Sequence, residues 1–284
     1  MAPSGHEEMP RRAPLHGARV VVTQRADLAP PLASLLRQAG AKVLEIPATR
    51  FRPPQDPEPM REAIGNLLVF DWVVLSNPCG AEFFLAAYGQ RHTDLTALKT
   101  LRLATCGPLT AGRLQAQGLF PDAIAADHKT PLILEALAAA GGVAGQRVLL
   151  LRGEETLPGL PEALRAEGAE VEDVASFGTE PERADPSGDA TRLRKSGADW
   201  ILFASGLAIE HFHHRFDLPG LQERFPFLRF GLASPSIRRQ LEHHGLRAAA
   251  IAQPNDPQSL VDALVDAGPA PPPTGSAEKS LEAG

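Results

Sequence analysis

With 284 residues, 43% of them apolar, the chain is long enough to build two cores of ordinary size. A formal net charge of −6 excludes the basic field that non-specific nucleic-acid or anionic-membrane binding needs, so an anionic ligand must be held by local donors. No run approaches the ~18 consecutive apolar residues of a membrane span, and no apolar signal core stands near the first residues, so a cytoplasmic protein is expected.

Residues 1–16 and 268–284 are rich in Pro, Gly and charge and read as disordered tails around a folded body of 17–267. In chain order, residues 19–23 form a β-branched strand, 28–38 a helix stopped by Gly40, and 42–47 a second strand that ends at a proline. A Pro-rich connector at 52–59 leads to a helix near 58–67. Then follow a strand at 72–75, a helix at 80–88, a strand at 102–106, a helix at 109–117 closed by Gly118, a short strand at 123–125 and a helix at 131–140. Five strands alternating with five helices predict an α/β fold, a flavodoxin-like, doubly wound parallel sheet covered on both faces.

The same order returns between Arg147 and Val265. Asp71-Trp72, Glu82 and Phe84 recur 128 positions later as Asp199-Trp200, Glu210 and Phe212, and Gly17 to Val22 matches Gly145 to Leu150 at the same offset. The offset then slips to 127, so that Leu114 matches Leu241 and Ile124 matches Ile251. An internal duplication is predicted, with units of 17–144 and 145–267.

No Gly-x-Gly-x-x-Gly follows a strand and no P-loop is present, so no cofactor is expected. Small polar residues collect instead where strands give way to helices: Thr23-Gln24-Arg25, Ser76-Asn77, Thr105 to Thr110, Arg152-Gly153, Ser205-Gly206 and Ser234-Pro235-Ser236. Any one of these corners is best read as a helix cap. Together, at the carboxyl edge of a parallel sheet, they suit an anion, and Arg152 suits carboxylate capture.

Cys79 and Cys106, the only cysteines, read as small buried hydrophobes. His211, His213, His214, His243 and His244 lack ligand spacing, and no metal site is predicted. Asp71 and Asp199 precede strands, where capping is expected, and Tyr88 reads as packing.

Several of these motifs resemble, in order and over the whole folded body, the uroporphyrinogen-III synthase family. Val20-Val21-Val22-Thr23-Gln24-Arg25 is similar to its opening strand with Thr-Arg, and Leu75-Ser76-Asn77-Pro78-Cys79-Gly80-Ala81 to its Phe-Thr-Ser-Pro-Asn-Gly-Val corner. Gly107-Pro108-Leu109-Thr110-Ala111 is similar to its Gly-x-x-Thr-Ala helix start, and Phe203-Ala204-Ser205 to its later Phe-Thr-Ser.

The resemblance implies two flavodoxin-like domains joined by a two-stranded linker. Residues 17–47 with 182–267 would form one domain and 57–174 the other, with linkers at 48–56 and 175–181. It also implies a cofactor-free lyase that cyclises hydroxymethylbilane by dehydration and ring-D inversion, through an azafulvene cation and a spiro intermediate. Hydroxymethylbilane is the implied ligand, the upstream hydroxymethylbilane synthase a candidate partner, and a monomer the expected state.

Carried onto this sequence, the catalytic positions are Phe177, Thr110 and Ser76, and the substrate is expected at the backbone of Gly80, Gly107, Arg152, Gly153, Gly206 and Leu207, with Gln24, Arg25, Asn77 and the hydroxyls of Ser205, Ser234 and Ser236. Four positions depart from the family. Phe177 stands where the family has a cleft-facing tyrosine, Asn77 where it has serine, Ile237 where it has a second threonine, and either Gln24 or Arg25 takes its arginine position. Two other readings compete: a non-catalytic two-lobed tetrapyrrole- or anion-binding module derived from that enzyme, and a solute-binding protein of two α/β lobes.

Overall fold

The computed structural model describes residues 13–26, 28–126, 129–155 and 159–268. The chain divides into two compact units, one of residues up to Arg50 together with those from Pro181 onward, the other of Phe51–Glu180. The expected tails lie outside the described residues except for 13–16 and Gly268. There the tail boundary needs correction, because Leu15 is buried in the core of the first unit and its N–H donates to Ala39 O at 2.8 Å.

The first unit opens with β1 (Arg19–Val22), α1 (Pro30–Gln38) and β2 (Lys42–Glu45). The chain passes through β3 (Thr49–Arg52) and builds the second unit from α2 (Glu58–Gly65), β4 (Trp72–Leu75), α3 (Pro78–Gly89), β5 (Arg102–Cys106), α4 (Pro108–Gln115), β6 (Ala123–Ala125), α5 (Thr130–Ala139), β7 (Arg147–Gly153), α6 (Leu160–Ala166) and β8 (Glu170–Pro181). It then completes the first unit with α7 (Asp189–Ser196), β9 (Trp200–Phe203), α8 (Gly206–Phe216), α9 (Leu218–Arg224), β10 (Arg229–Leu232), α10 (Arg238–His243), β11 (Ala248–Ile251) and α11 (Pro257–Asp266). The sequence pattern did not anticipate α9. It is seven residues long and follows Asp217, whose φ of 48° is left-handed.

The first unit holds a parallel sheet in the order β11-β10-β9-β1-β2. Val20, Val21 and Val22 are fully buried, as expected of a strand covered by helices on both faces. One face packs against Ile209, Phe212 and Leu241, the other against Leu32, Leu36 and Leu264.

The second unit holds the order β3-β8-β7-β4-β5-β6, with β8 through β6 parallel. Its β8 runs without a break to Pro181 and still pairs with β7 at Gly153↔Phe177. Residues 51–56 and 175–180, expected as linkers, group with this unit, whose sheet includes β3 up to Arg52 and β8 up to Pro181.

The Asp-Trp pairs have the same surroundings at the amino edge of each sheet. Asp199 Oδ2 accepts the Arg19 N–H at 2.7 Å, and Asp71 Oδ2 accepts the Arg147 N–H at 2.8 Å. The next residues, Trp200 and Trp72, are buried, and the guanidiniums of Arg229 and Arg102 lie 4.0 Å from their ring centroids. Each carboxylate thus anchors the start of the neighbouring strand. Asp71→Ala and Asp199→Ala are each expected to lose about 1–2 kcal/mol of stability, read as a lower urea midpoint at unchanged m-value.

Candidate functional site

In the second unit, β4 ends at Leu75 and the chain turns through Ser76 and Asn77 into α3. Asn77 is extended and its Oδ1 accepts the Gly80 N–H at 2.7 Å, a conventional N-cap. This removes Gly80 from the set of expected anion donors. Gly80 serves packing instead: a Cβ there would stand 3.0 Å from Ser176 Oγ and 3.7 Å from the Phe177 ring.

The β5 corner is also committed internally. Gly107, at φ 86°, takes a conformation that side chains disfavour, and its N–H donates to Ala125 O at 2.9 Å rather than to a ligand. The Thr110 hydroxyl is fully buried and donates to Cys106 O at 2.9 Å, so its position in this structure is structural.

At the end of β7 the Arg152 guanidinium makes two bonds to Asp173 on β8, Nε–Oδ1 at 2.7 Å and Nη2–Oδ2 at 2.5 Å. The Asp173 hydrogen bonds raise the already high pKa of Arg152. The carboxylate captured by Arg152 is thus one of the protein's own. A register shift follows Arg152 and leaves Gly153 buried opposite Phe177.

Phe177 is 5% exposed and lies between two partly exposed rings, with Phe51 at 5.4 Å and Phe83 at 6.4 Å between centroids. Beside them Arg52 Nη2 bonds Glu154 Oε2 at 2.8 Å, and Glu154 Oε1 also accepts the Gln55 N–H. A Cβ on Gly178 would collide with both members of this pair. Burial raises the Glu154 carboxyl, but the Gln55 N–H and Arg52 outweigh it and leave the carboxyl below its ordinary value.

In the first unit the Thr23 hydroxyl is buried and donates to Leu202 O at 2.7 Å. Gln24 keeps a buried Oε1 without a hydrogen-bond partner among the described residues, while the Arg25 carbonyl accepts the Leu28 and Ala29 N–H groups. Ser205 caps α8, its Oγ accepting the Ala208 N–H at 3.1 Å. Ahead of that bond the N–H groups of Gly206 and Leu207 have no partner among the described residues. A Cβ on Gly206 would press on Gln240 Cγ at 2.8 Å.

Ser234 and Ser236 share a hydroxyl contact of 2.8 Å, and Ser236 is exposed. Ile237 belongs to the core, as the fully buried Thr110 does at its own helix start. The threonine missing at Ile237 is therefore a core replacement.

The expected set divides accordingly. Gly206, Leu207, Ser205, Ser234 and Ser236 stand at the carboxyl edge of the first sheet, and the half-buried Ser76 at that of the second. Gly80, Gly107, Thr110 and Arg152 are occupied by the protein itself. Sequence reasoning missed Phe51, Phe83 and the Arg52–Glu154 pair. A signal for Phe83 existed: adjacent residues on a helix point about 100° apart, so with Phe84 in the core Phe83 must face elsewhere.

Tyr88 is packed, 1% exposed and stacked 4.4 Å from His92. His213 stacks on His244 at 4.1 Å, and His244 Nε2 meets Glu210 Oε2 at 3.0 Å. Among the described residues no group of three or more His, Cys, Asp or Glu is placed to hold a metal ion, and no helix is long and apolar enough to cross a membrane.

A profile of the family described as HEM4, uroporphyrinogen-III synthase HemD, matches residues 30–262. A uroporphyrinogen-III synthase of Synechococcus elongatus is 31% identical over 206 residues, covering 70% of this chain and 75% of that one. Among solved structures, the uroporphyrinogen-III synthetase of Helicobacter pylori is similar at a TM-score of 0.59 and 16% identity, over 88% of this chain and 99% of that one. A mutant uroporphyrinogen III synthase of Thermus thermophilus is similar at a TM-score of 0.56 and 18% identity, over 88% and 98%. At such identities these two likenesses speak for the fold alone.

Two outcomes test the local assignments. Thr110→Val is expected to cost about 1 kcal/mol in urea unfolding while Thr110→Ser costs less, because only valine removes the donor to Cys106 O. Glu154, lowered in the folded state, contributes stability that is present above its ordinary carboxylate pKa and is lost as pH falls through the lower folded value. Glu154→Gln is therefore expected to flatten the acid limb of stability against pH, measured by urea titrations from about pH 3 to 6.

Proposed function

The chain belongs to the uroporphyrinogen-III synthase family, the lyase-type cyclising enzymes of porphyrin biosynthesis, and from that premise we propose how its residues serve the reaction. The substrate is a linear tetrapyrrole, which we take to be hydroxymethylbilane. Its carboxylates need donors, and an acidic protein must supply them locally. The observation that carries the reading is the α8 corner, where the N–H groups of Gly206 and Leu207 have no partner among the described residues, beside Ser205 and on the sheet edge that also bears Ser234 and Ser236. Such donors at a helix start favour a carboxylate. The carboxyl edge of the second sheet offers Ser76 to the same class of ligand.

The chemistry asks more of positioning than of a catalytic triad. The C–O bond of the hydroxymethyl group breaks, the hydroxyl takes a proton and leaves as water, and an azafulvene cation remains. Attack by the substituted carbon of ring D gives the spiro intermediate. Fragmentation and reclosure invert that ring, and the final loss of a ring proton balances the one taken up. Holding the two ends of the substrate together and excluding water supply most of the acceleration.

The paired sheet orders support an internal duplication as the origin of this architecture. The first unit arranges β1, β2, β9, β10 and β11 in the order 2-1-3-4-5, and the second arranges β7, β8, β4, β5 and β6 in the same order. A tandem repeat in which each unit takes two strands from one copy and three from the other accounts for this. The Asp199 and Asp71 anchors repeat with it.

The phenylalanine at 177 and the internal pairing of Arg152 favour one second reading, a binding module that has lost turnover. A coupled assay supplying hydroxymethylbilane and separating product isomers decides between them. Unassisted closure gives the non-inverted isomer. Enrichment of the inverted isomer over a no-enzyme control is expected, and tight binding without enrichment would establish the module instead. Ser236→Ala is expected to raise KM by roughly three- to ten-fold with the thermal midpoint unchanged, the loss of one carboxylate hydrogen bond.

A further inference from the structure

The Asp-Trp pair with an arginine over its ring stands at the amino edge of both sheets, yet the two copies differ in how the indole is satisfied. In the second unit Trp72 Nε1 donates to Gly142 O at 3.3 Å, and a Cβ on Gly141 would stand 3.4 Å from Arg102 Nη2, so the chain closes over the pair. In the first unit Trp200 is 1% exposed, and its Nε1 has no hydrogen-bond partner among the described residues. Arg229 lies over that ring and donates from Nη1 to Ala267 O at 3.2 Å. Its Nε is buried without a partner, and Nη2 has none among the described residues. A cavity of about 310 Å³ opens at this place, with His16, Asp199, Trp200 and Arg229 in its wall. Asp199 brings a negative charge, but Arg19 already holds its carboxylate, through the N–H at 2.7 Å and Nε at 3.6 Å. Arg229 is the cation left over, and burial lowers its pKa by more than Asp199 restores.

We propose that this cavity is a binding site for a small carboxylate, received on the Nε–Nη2 edge of Arg229 beside the indole N–H of Trp200. That edge carries two parallel donors spaced to meet both oxygens of one carboxylate. Arg152 shows the fit within this chain, where the same edge takes both oxygens of Asp173. Among the described residues no carboxylate is bonded to the Arg229 edge. A buried N–H without an acceptor is costly, so an occupant that supplies one gains more here than at a solvated arginine. The site stands at the edge of the first sheet opposite the α8 corner, and the ring-closing chemistry plays no part in it.

Trp200 is its own reporter. The chain has two tryptophans, so in Trp72→Phe all indole emission comes from Trp200. Titration with sodium acetate, and separately with sodium succinate, is expected to shift that emission saturably with half-saturation at about 1–10 mM. Sodium chloride at equal ionic strength is expected to leave it unchanged. Arg229→Gln in the same background removes the charge and the fork, and is expected to weaken half-saturation by about ten-fold or more. Arg229→Lys keeps the charge without the fork, and a loss of about three-fold or more is expected. Arg102→Gln removes the matching cation of the other unit and is expected to leave the response as it was. Where Trp72→Phe or Arg229→Gln fails to fold, the rise in thermal midpoint with succinate is compared between wild-type protein and Arg229→Lys. A response that chloride reproduces, that does not saturate, that is stronger with inorganic phosphate, or that both Arg229 variants keep in full would overturn the proposal. No bilane and no turnover enter these measurements, so their failure is distinct from a failure of the family reading in the isomer assay.

Discussion

Each sheet is held in register by a carboxylate that accepts the first N–H of a neighbouring strand, Asp199 for Arg19 and Asp71 for Arg147. Everything at the opposite edge depends on that registration. A shift of one residue would turn Val20, Val21 and Val22, or Trp72 to Leu75, to the wrong faces and carry the corners out of place. The buried tryptophans, each with an arginine over its ring, reinforce the position at the same end. The recurring Asp-Trp is thus a structural device at the amino edge of each sheet.

At the carboxyl edge the same few residue types divide between two tasks. A corner must first satisfy the orphan N–H groups of the helix it starts, and only what is left can meet a ligand. Asn77 closes α3 onto Gly80, Gly107 reaches back to Ala125, and Thr110 to Cys106. Ser205 closes α8 onto Ala208 and leaves the N–H groups of Gly206 and Leu207 without a partner among the described residues.

Arg152 illustrates how burial changes the meaning of a charged residue. An arginine at a strand end looks like a receptor for a substrate carboxylate, yet Asp173 on the adjacent strand offers one at no diffusional cost. The nearby Arg52–Glu154 pair closes over Gly178 in the same manner. Both cations are thus committed to carboxylates of the same unit.

The sequence by itself determined the alternation of strands and helices, the repeat at Asp71 and Asp199, and the six polar corners, because periodicity and turn chemistry are local and act within a few residues. The family likeness rested on those same short motifs. The tertiary structure alone decided which donors remained for a ligand, since Ala125, Asp173 and Cys106 claim theirs through contacts that no spacing rule encodes. It also decided that Phe51, Phe83 and Phe177 would meet, from positions far apart in the chain, and that Leu15 would join the core. Such pairings follow from how the strands are ordered in the sheet, and hydrogen bonds between residues distant in sequence set that order.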